Sequence, residues 1–170
     1  MPNWCNNHWR IVGNEEDLDK VMEYVKGGDN QPLTFKSILP MPEELIGTTS
    51  PARIVSQEEY DNWTPAYEGQ SRPLTQEMSD RYIVSYGHDN WYDWCNSNWD
   101  TKWDAGEVRA GRFRKGDDYA RDELHYDFET AWGPPTGVFK ELARKFPDLH
   151  MTIQWNEEGG MSGVLREGVI

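Results

Sequence analysis

The sequence predicts an α+β fold: a ferredoxin-like split βαβ sandwich, an antiparallel sheet with two helices, carrying a helical, Trp-rich insertion. Three observations predict it. Residues 1–46 read as strand, helix, strand. Residues 123–170 read as strand, helix, strand, with one extra strand. Between them, residues 47–122 change character: Gly, Thr, Ser, Pro, Gln and Glu dominate the first part, and tryptophans crowd the second. At 170 residues the chain is long enough for one domain that buries its own core.

The elements follow from local patterns. Asn6–Val12 is a short strand ending at Gly13. Asn14 is placed to cap the next helix, with Glu15, Glu16 and Asp17 in its first turn. Leu18, Val21, Met22 and Val25 recur at helical spacing and give that helix one apolar face. Gly27-Gly28 stops it. Leu33 and Phe35 alternate with Thr34 and Lys36, which predicts a second strand over 33–39, ended by Pro40 and Pro42. Pro42-Glu-Glu-Leu45 starts a short helical turn. Helices are predicted near 57–63 and 75–86, the second opened by Thr75 and closed by Gly87. The spacing of Trp91, Trp94, Cys95, Trp99 and Trp103 predicts a further helix over about 90–104. Residues 107–114 alternate weakly, as an edge strand does. Leu124, Tyr126, Phe128 and Thr130 alternate with His125, Asp127, Glu129 and Ala131, a clear strand. Gly133-Pro-Pro135 breaks it and opens a helix to about Phe146. Leu149, Met151, Ile153 and Trp155 mark another strand, and Gly159-Gly160 turns the chain into the last one near 162–166.

The charge bounds the function. Thirty acidic against 17 basic residues give a net charge of −13. Such a field repels phosphate backbones and anionic membranes, which argues against general nucleic-acid binding and membrane association. It favours solubility, or attachment to a basic protein surface. The basic cluster Arg109, Arg112, Arg114 and Lys115 is followed at once by Asp117 and Asp118. Two cysteines, Cys5 and Cys95, are too few for a disulfide framework or a Cys-rich zinc site. Neither has a neighbouring Cys–His pattern, and free Cys ordinarily behaves as a small buried hydrophobe. No signal peptide and no membrane-length apolar run is visible, so a cytoplasmic protein with reduced thiols is expected. No cofactor is expected.

Four phrases resemble the YubB-like family of bacterial plasmid and phage proteins. They are Met1-Pro-Asn-Trp-Cys5, Ile38-Leu-Pro-Met-Pro-Glu-Glu-Leu45, Asn98-Trp-Asp-Thr-Lys-Trp-Asp-Ala105 and Phe128-Glu-Thr-Ala-Trp-Gly-Pro-Pro135. The resemblance runs from Met1 to about Gly163. Asp100 and Gly133 depart from the family's usual Gly and Ser, and neither departure removes a Trp, Lys or Thr. The resemblance implies a ferredoxin-like C-terminal part and a mobile-element origin. It assigns no catalytic residue.

The candidate binding residues are Trp99, Thr101, Lys102, Trp103 and Asp104 with Thr130 and Trp132: aromatic walls around a Lys, Thr and Asp floor. A lysine between indoles makes a cation–π contact or pairs with Asp104. The bland reading of the same residues is a packed tryptophan core, the ordinary use of buried indoles. A second constellation is His125, Asp127 and Glu129 on one strand face, joined by His8 and Arg10 if the first strand is the neighbour, with His150 nearby. A histidine with two carboxylates can hold a metal or run acid–base chemistry, although no tight ligand motif is present. Pro2 is a catalytic amine only if Met1 is removed. The leading expectation is an acidic, non-enzymatic accessory protein of a phage or plasmid that binds a host protein with a basic surface. The alternative is a small-ligand-binding protein or enzyme built on the Trp, Lys, Thr and Asp pocket.

Overall fold

The computed structural model describes residues 3–28, 30–116 and 120–168. They fall into two compact units. One is the chain up to Pro40 and from Trp99 onward; the other is Met41–Asn98.

The first unit is built on a five-stranded sheet. Its strands are β1 (Trp4–Gly13), β4 (Gly106–Phe113), β5 (Asp122–Ala131), β6 (His150–Glu157) and β7 (Ser162–Glu167), in the order β4-β5-β1-β6-β7. Every neighbouring pair is antiparallel. Taking β1, β4, β5 and β6 as the four core strands, the spatial order second, third, first, fourth is that of the ferredoxin-like split βαβ, with β7 added at one edge. The sequence assigned the second strand to 33–39. The structure corrects this: Phe35–Ile38 is a short helix, α2, and the second strand is β4.

Helix α1 (Glu15–Val25) opens at Asn14, whose side chain accepts the Asp17 N–H, and it buries Leu18, Val21 and Val25. Helix α6 (Thr136–Lys145) buries Val138, Phe139, Leu142 and Ala143 and carries Arg144 and Lys145 in its last turn, where cations suit the helix dipole. Both pack on the sheet face made by alternate residues such as Trp9, Ile11, Leu124, Tyr126, Phe128, Met151 and Ile153, all buried. Trp9 and Phe139 rings lie 5.7 Å apart, and Phe35 of α2 meets Phe128 at 5.9 Å. The other face carries the intervening positions. Asn6, Asp127, Gln154, Asn156 and Val164 are exposed there.

The second unit holds a 3₁₀ turn at Glu43–Leu45 and helices α3 (Gln57–Asp61), α4 (Gln76–Tyr86) and α5 (Trp91–Asn98). A two-residue parallel pair joins β2 (Ile54–Val55) to β3 (Leu74–Thr75). Ser56 and Glu59 form a capping box on α3. Thr75 caps α4, and Gly87 ends it at φ +81°. Trp94, Cys95, Tyr82, Leu45 and Leu74 are buried. Cys95 Sγ lies 3.8 Å from Met41 Sδ, and Trp91 N–H donates to Thr48 Oγ1 at 3.0 Å. The helix expected over 90–104 stops at Asn98. Residues 99–105 are irregular, with Asp100 at φ +63°, so Trp99 and Trp103 do not share a helix face.

Candidate functional site

The first candidate site is built by the irregular segment 99–105 and by residues 130–133, the end of β5 and the turn after it. Thr101 fixes the first to β5. It is fully buried; its hydroxyl donates to the Ala131 carbonyl at 3.0 Å and accepts the Ala131 N–H at 3.1 Å. Asp104 fixes the same segment to α2. Its carboxylate accepts the Thr34 hydroxyl, the Phe35 N–H at 2.7 Å and the Ala105 N–H at 2.8 Å. An acid that satisfies a helix's first N–H is a capping group supplied from about seventy positions away. Trp99 is buried; its indole N–H donates to the Leu39 carbonyl at 2.8 Å and its ring meets Phe35 edge-on. Thr130 organises the other segment: it donates to the Gly133 carbonyl at 2.7 Å and accepts from the Asn7 amide at 2.8 Å.

These pins bring Lys102 between two indoles. Its ammonium lies 3.8 Å from the Trp103 ring centroid and 4.4 Å from that of Trp132. Both distances are within cation–π range. Trp103 and Trp132 are about two-fifths exposed, so this part of the cluster is open to solvent. Asp104 does not pair with Lys102; its oxygens serve α2. The seven sequence-derived residues therefore divide. Trp99, Thr101, Asp104 and Thr130 are inward-facing pins, and Lys102, Trp103 and Trp132 are the accessible group. Trp4, not singled out from the sequence, belongs with the second set: its ring lies 5.9 Å from Trp103. Its signal was present, because Trp4 sits in the phrase Met1-Pro-Asn-Trp-Cys5, the first of the four quoted for the resemblance.

The second candidate lies on the sheet face without helices. Strand register places His8 beside Asp127 and Arg10 beside His125. His8 Nδ1 is 2.7 Å from Asp127 Oδ1, so an ionised Asp127 requires the imidazole proton on Nδ1. His125 Nε2 is 2.9 Å from Glu123 Oε2, and Arg10 forks onto the same carboxylate. The two imidazoles meet edge to face at 5.0 Å. His125 thus bonds to Glu123, not to Asp127 or Glu129, and His150 lies nearby, lining a small pocket with Arg10 and Glu123. Among the described residues, no group of three or more His, Cys, Asp and Glu is arranged to hold a metal ion. Sequence reasoning missed Glu123, because a buried acid on a polar strand face looks like its exposed neighbours.

Beside this cluster is a depression of about 540 Å³. Asn6, His8, Glu107, Arg109, Asp127 and Glu129 line it on one side, and Gln154 and Asn156 on the other. A bulge between Gly106 and Arg109, with Glu107 at φ +48°, turns the edge strand there. Cys5 is buried, and burial pushes its thiol above the ordinary range, the opposite of an activated nucleophile. Pro2, Asp117 and Asp118 lie outside the described residues. Among the described residues, no helix is long and apolar enough to cross a membrane.

Residues 98–166 match a family model described as a ferredoxin-like domain in Api92-like protein, a stretch running from the end of α5 to Arg166 in β7. Comparison with curated proteins gives no match. The crystal structure of protein api92 from Yersinia pseudotuberculosis is similar over 99% of this chain and 95% of that chain, with a TM-score of 0.54 and 13% identity. At that identity the likeness speaks for the fold alone.

Proposed function

We propose that this is a non-enzymatic accessory protein of a phage or plasmid, acting in the cytoplasm, which binds a basic host protein through the helix-free face of its sheet. One observation carries the reading. The depression on that face is lined by three carboxylates, Glu107, Asp127 and Glu129, against one guanidinium, Arg109, with the His8 imidazole, four side-chain amides, Phe128 and Trp155 making up the remainder. Acids and amides at the floor of a shallow recess accept hydrogen bonds from arginine and lysine side chains. The net charge of −13 adds long-range attraction for such a partner. A host factor that handles nucleic acid has the basic surface this face would meet.

The test uses a defined basic probe, a deca-arginine peptide, and affinity capture from a bacterial lysate, each at low and high salt. The native protein is expected to bind both the peptide and a discrete host protein, with affinity falling steeply as salt rises. The double variant Asp127→Lys, Glu129→Lys is expected to lose both while keeping its melting temperature within a few degrees. Asp127 is largely exposed, and such changes usually shift stability by less than about 0.5 kcal/mol. Undiminished binding by the double variant would sink this placement of the interface.

A further inference from the structure

Among the described residues, Lys20 and Lys26 find carboxylates. Lys102 finds rings instead. Among the described residues it makes no ion pair, while its ammonium sits 3.8 Å from Trp103 and 4.4 Å from Trp132. Lysine is strongly hydrated and normally carries its charge out to water. Holding it between two indoles is a use of cation–π attraction that needs the walls fixed beforehand.

The walls are fixed. Trp103 follows Thr101, locked to Ala131 by two hydrogen bonds, and precedes Asp104, locked to the start of α2. Trp132 has φ +70°, a backbone conformation that bulky residues rarely adopt. It is held there by its N–H bond to the Asn3 carbonyl at 2.9 Å and by the Thr130–Gly133 bond next to it. Trp4 backs Trp103 from a third side, 5.9 Å away and tilted by 36°. Strained backbone that persists at an exposed aromatic group is the pattern of a ligand clamp.

We propose that Trp103 and Trp132, backed by Trp4, form a binding site for a methylated ammonium group such as a trimethylammonium head, and that Lys102 occupies it as an internal stand-in. The chemistry favours that class of ligand. A quaternary ammonium gives up less hydration than a primary one on leaving water, and its methyl groups cover the ring faces. The 3.8 and 4.4 Å separations of cation from centroid put the walls at contact distance from such methyls. The four-carbon stem of Lys102 lets it leave without moving the backbone. The net negative field raises the local concentration of any cation. This inference is independent of the docking face proposed above, from which it shares no residue.

Tetramethylammonium chloride, with sodium chloride as the control, is the probe. The readout is the indole N–H resonances of Trp4, Trp103 and Trp132 in the native protein, Lys102→Ala, and Lys102→Ala with Trp132→Ala. Saturable shifts confined to these indoles are expected, with Lys102→Ala binding roughly tenfold more tightly, the ratio set by removing a competing contact of ordinary cation–π strength. The double variant should lose the binding. Lys102→Met keeps the apolar stem and should behave as Lys102→Ala, which separates loss of the competing charge from a local collapse. The proposal is overturned if neither single variant shows a saturable shift, if the double variant binds equally, or if the native protein binds as tightly as Lys102→Ala.

Discussion

Glu123 is an acid with 3% of its surface exposed, yet it lies on the polar face of the sheet. It is tolerated there because Arg10 forks onto it and His125 donates to it. The Arg10 guanidinium holds the Glu123 carboxyl below the usual carboxylate range, against the opposing effect of burial. A folded value below the unfolded one means that folding releases protons from this group on the acid side. Its stabilisation is therefore complete above the ordinary glutamate range near ~4.3 and is lost as pH falls through the lowered folded value. Urea unfolding from pH 7 down to pH 3 should show Glu123→Gln with a shallower acid loss than the native protein. At pH 7 the same variant should be less stable by about 1.5 kcal/mol, the low end for a charged hydrogen bond because Arg10 is partly solvated. An unchanged acid slope would show that other carboxylates set it. Residue scale is also where the candidate site was only half legible. Trp, Lys, Thr and Asp in one phrase mark a constellation, but nothing in the phrase separates Asp104, which caps a distant helix, from Lys102, which faces solvent and rings.

At the scale of elements, those with complete local signals formed where the sequence placed them. Asn14, three acids and an apolar face at helical spacing made α1 readable on its own. Removing that cap by Asn14→Ala should cost about 1 kcal/mol, seen as a lower urea midpoint with an unchanged slope. A larger change in slope would point to a rearranged native state instead. The misread elements took their structure from elsewhere in the chain. Leu33–Leu39 alternates like a strand, but Thr34 caps Lys36 and Asp104 takes up the Phe35 N–H, so a contact across seventy positions turns it into helix. Residues 99–104 have helical tryptophan spacing, but Trp99 bonds to Leu39, Thr101 to Ala131, and Asp100 is left-handed. β4 read as a weak edge strand because its bulge interrupts the alternation that a sequence can show.

For the molecule as a whole, the question is whether the ferredoxin-like unit depends on the Met41–Asn98 unit. The chain leaves the first unit after Pro40 and returns at Trp99. The Trp99 indole donates to the Leu39 carbonyl at 2.8 Å, so exit and return are close neighbours within the first unit. A linker of about six Gly and Ser residues spans such a gap without strain. The sheet's own strands, α1, α2 and α6 all lie outside the excised segment, and the pins at Thr101, Asp104 and Thr130 have their partners outside it too. Replacing residues 41–98 by that linker is therefore expected to give a protein that still unfolds cooperatively, with a strand-rich circular dichroism spectrum and dispersed indole N–H resonances for Trp99, Trp103 and Trp132. Closing a shorter loop lowers the entropy cost of folding only slowly with length, so the change should not rescue a sheet that lacks its own core. A collapsed product without a cooperative transition would mean that the Met41–Asn98 unit completes the core of the first, and that the two compact units are one folding unit.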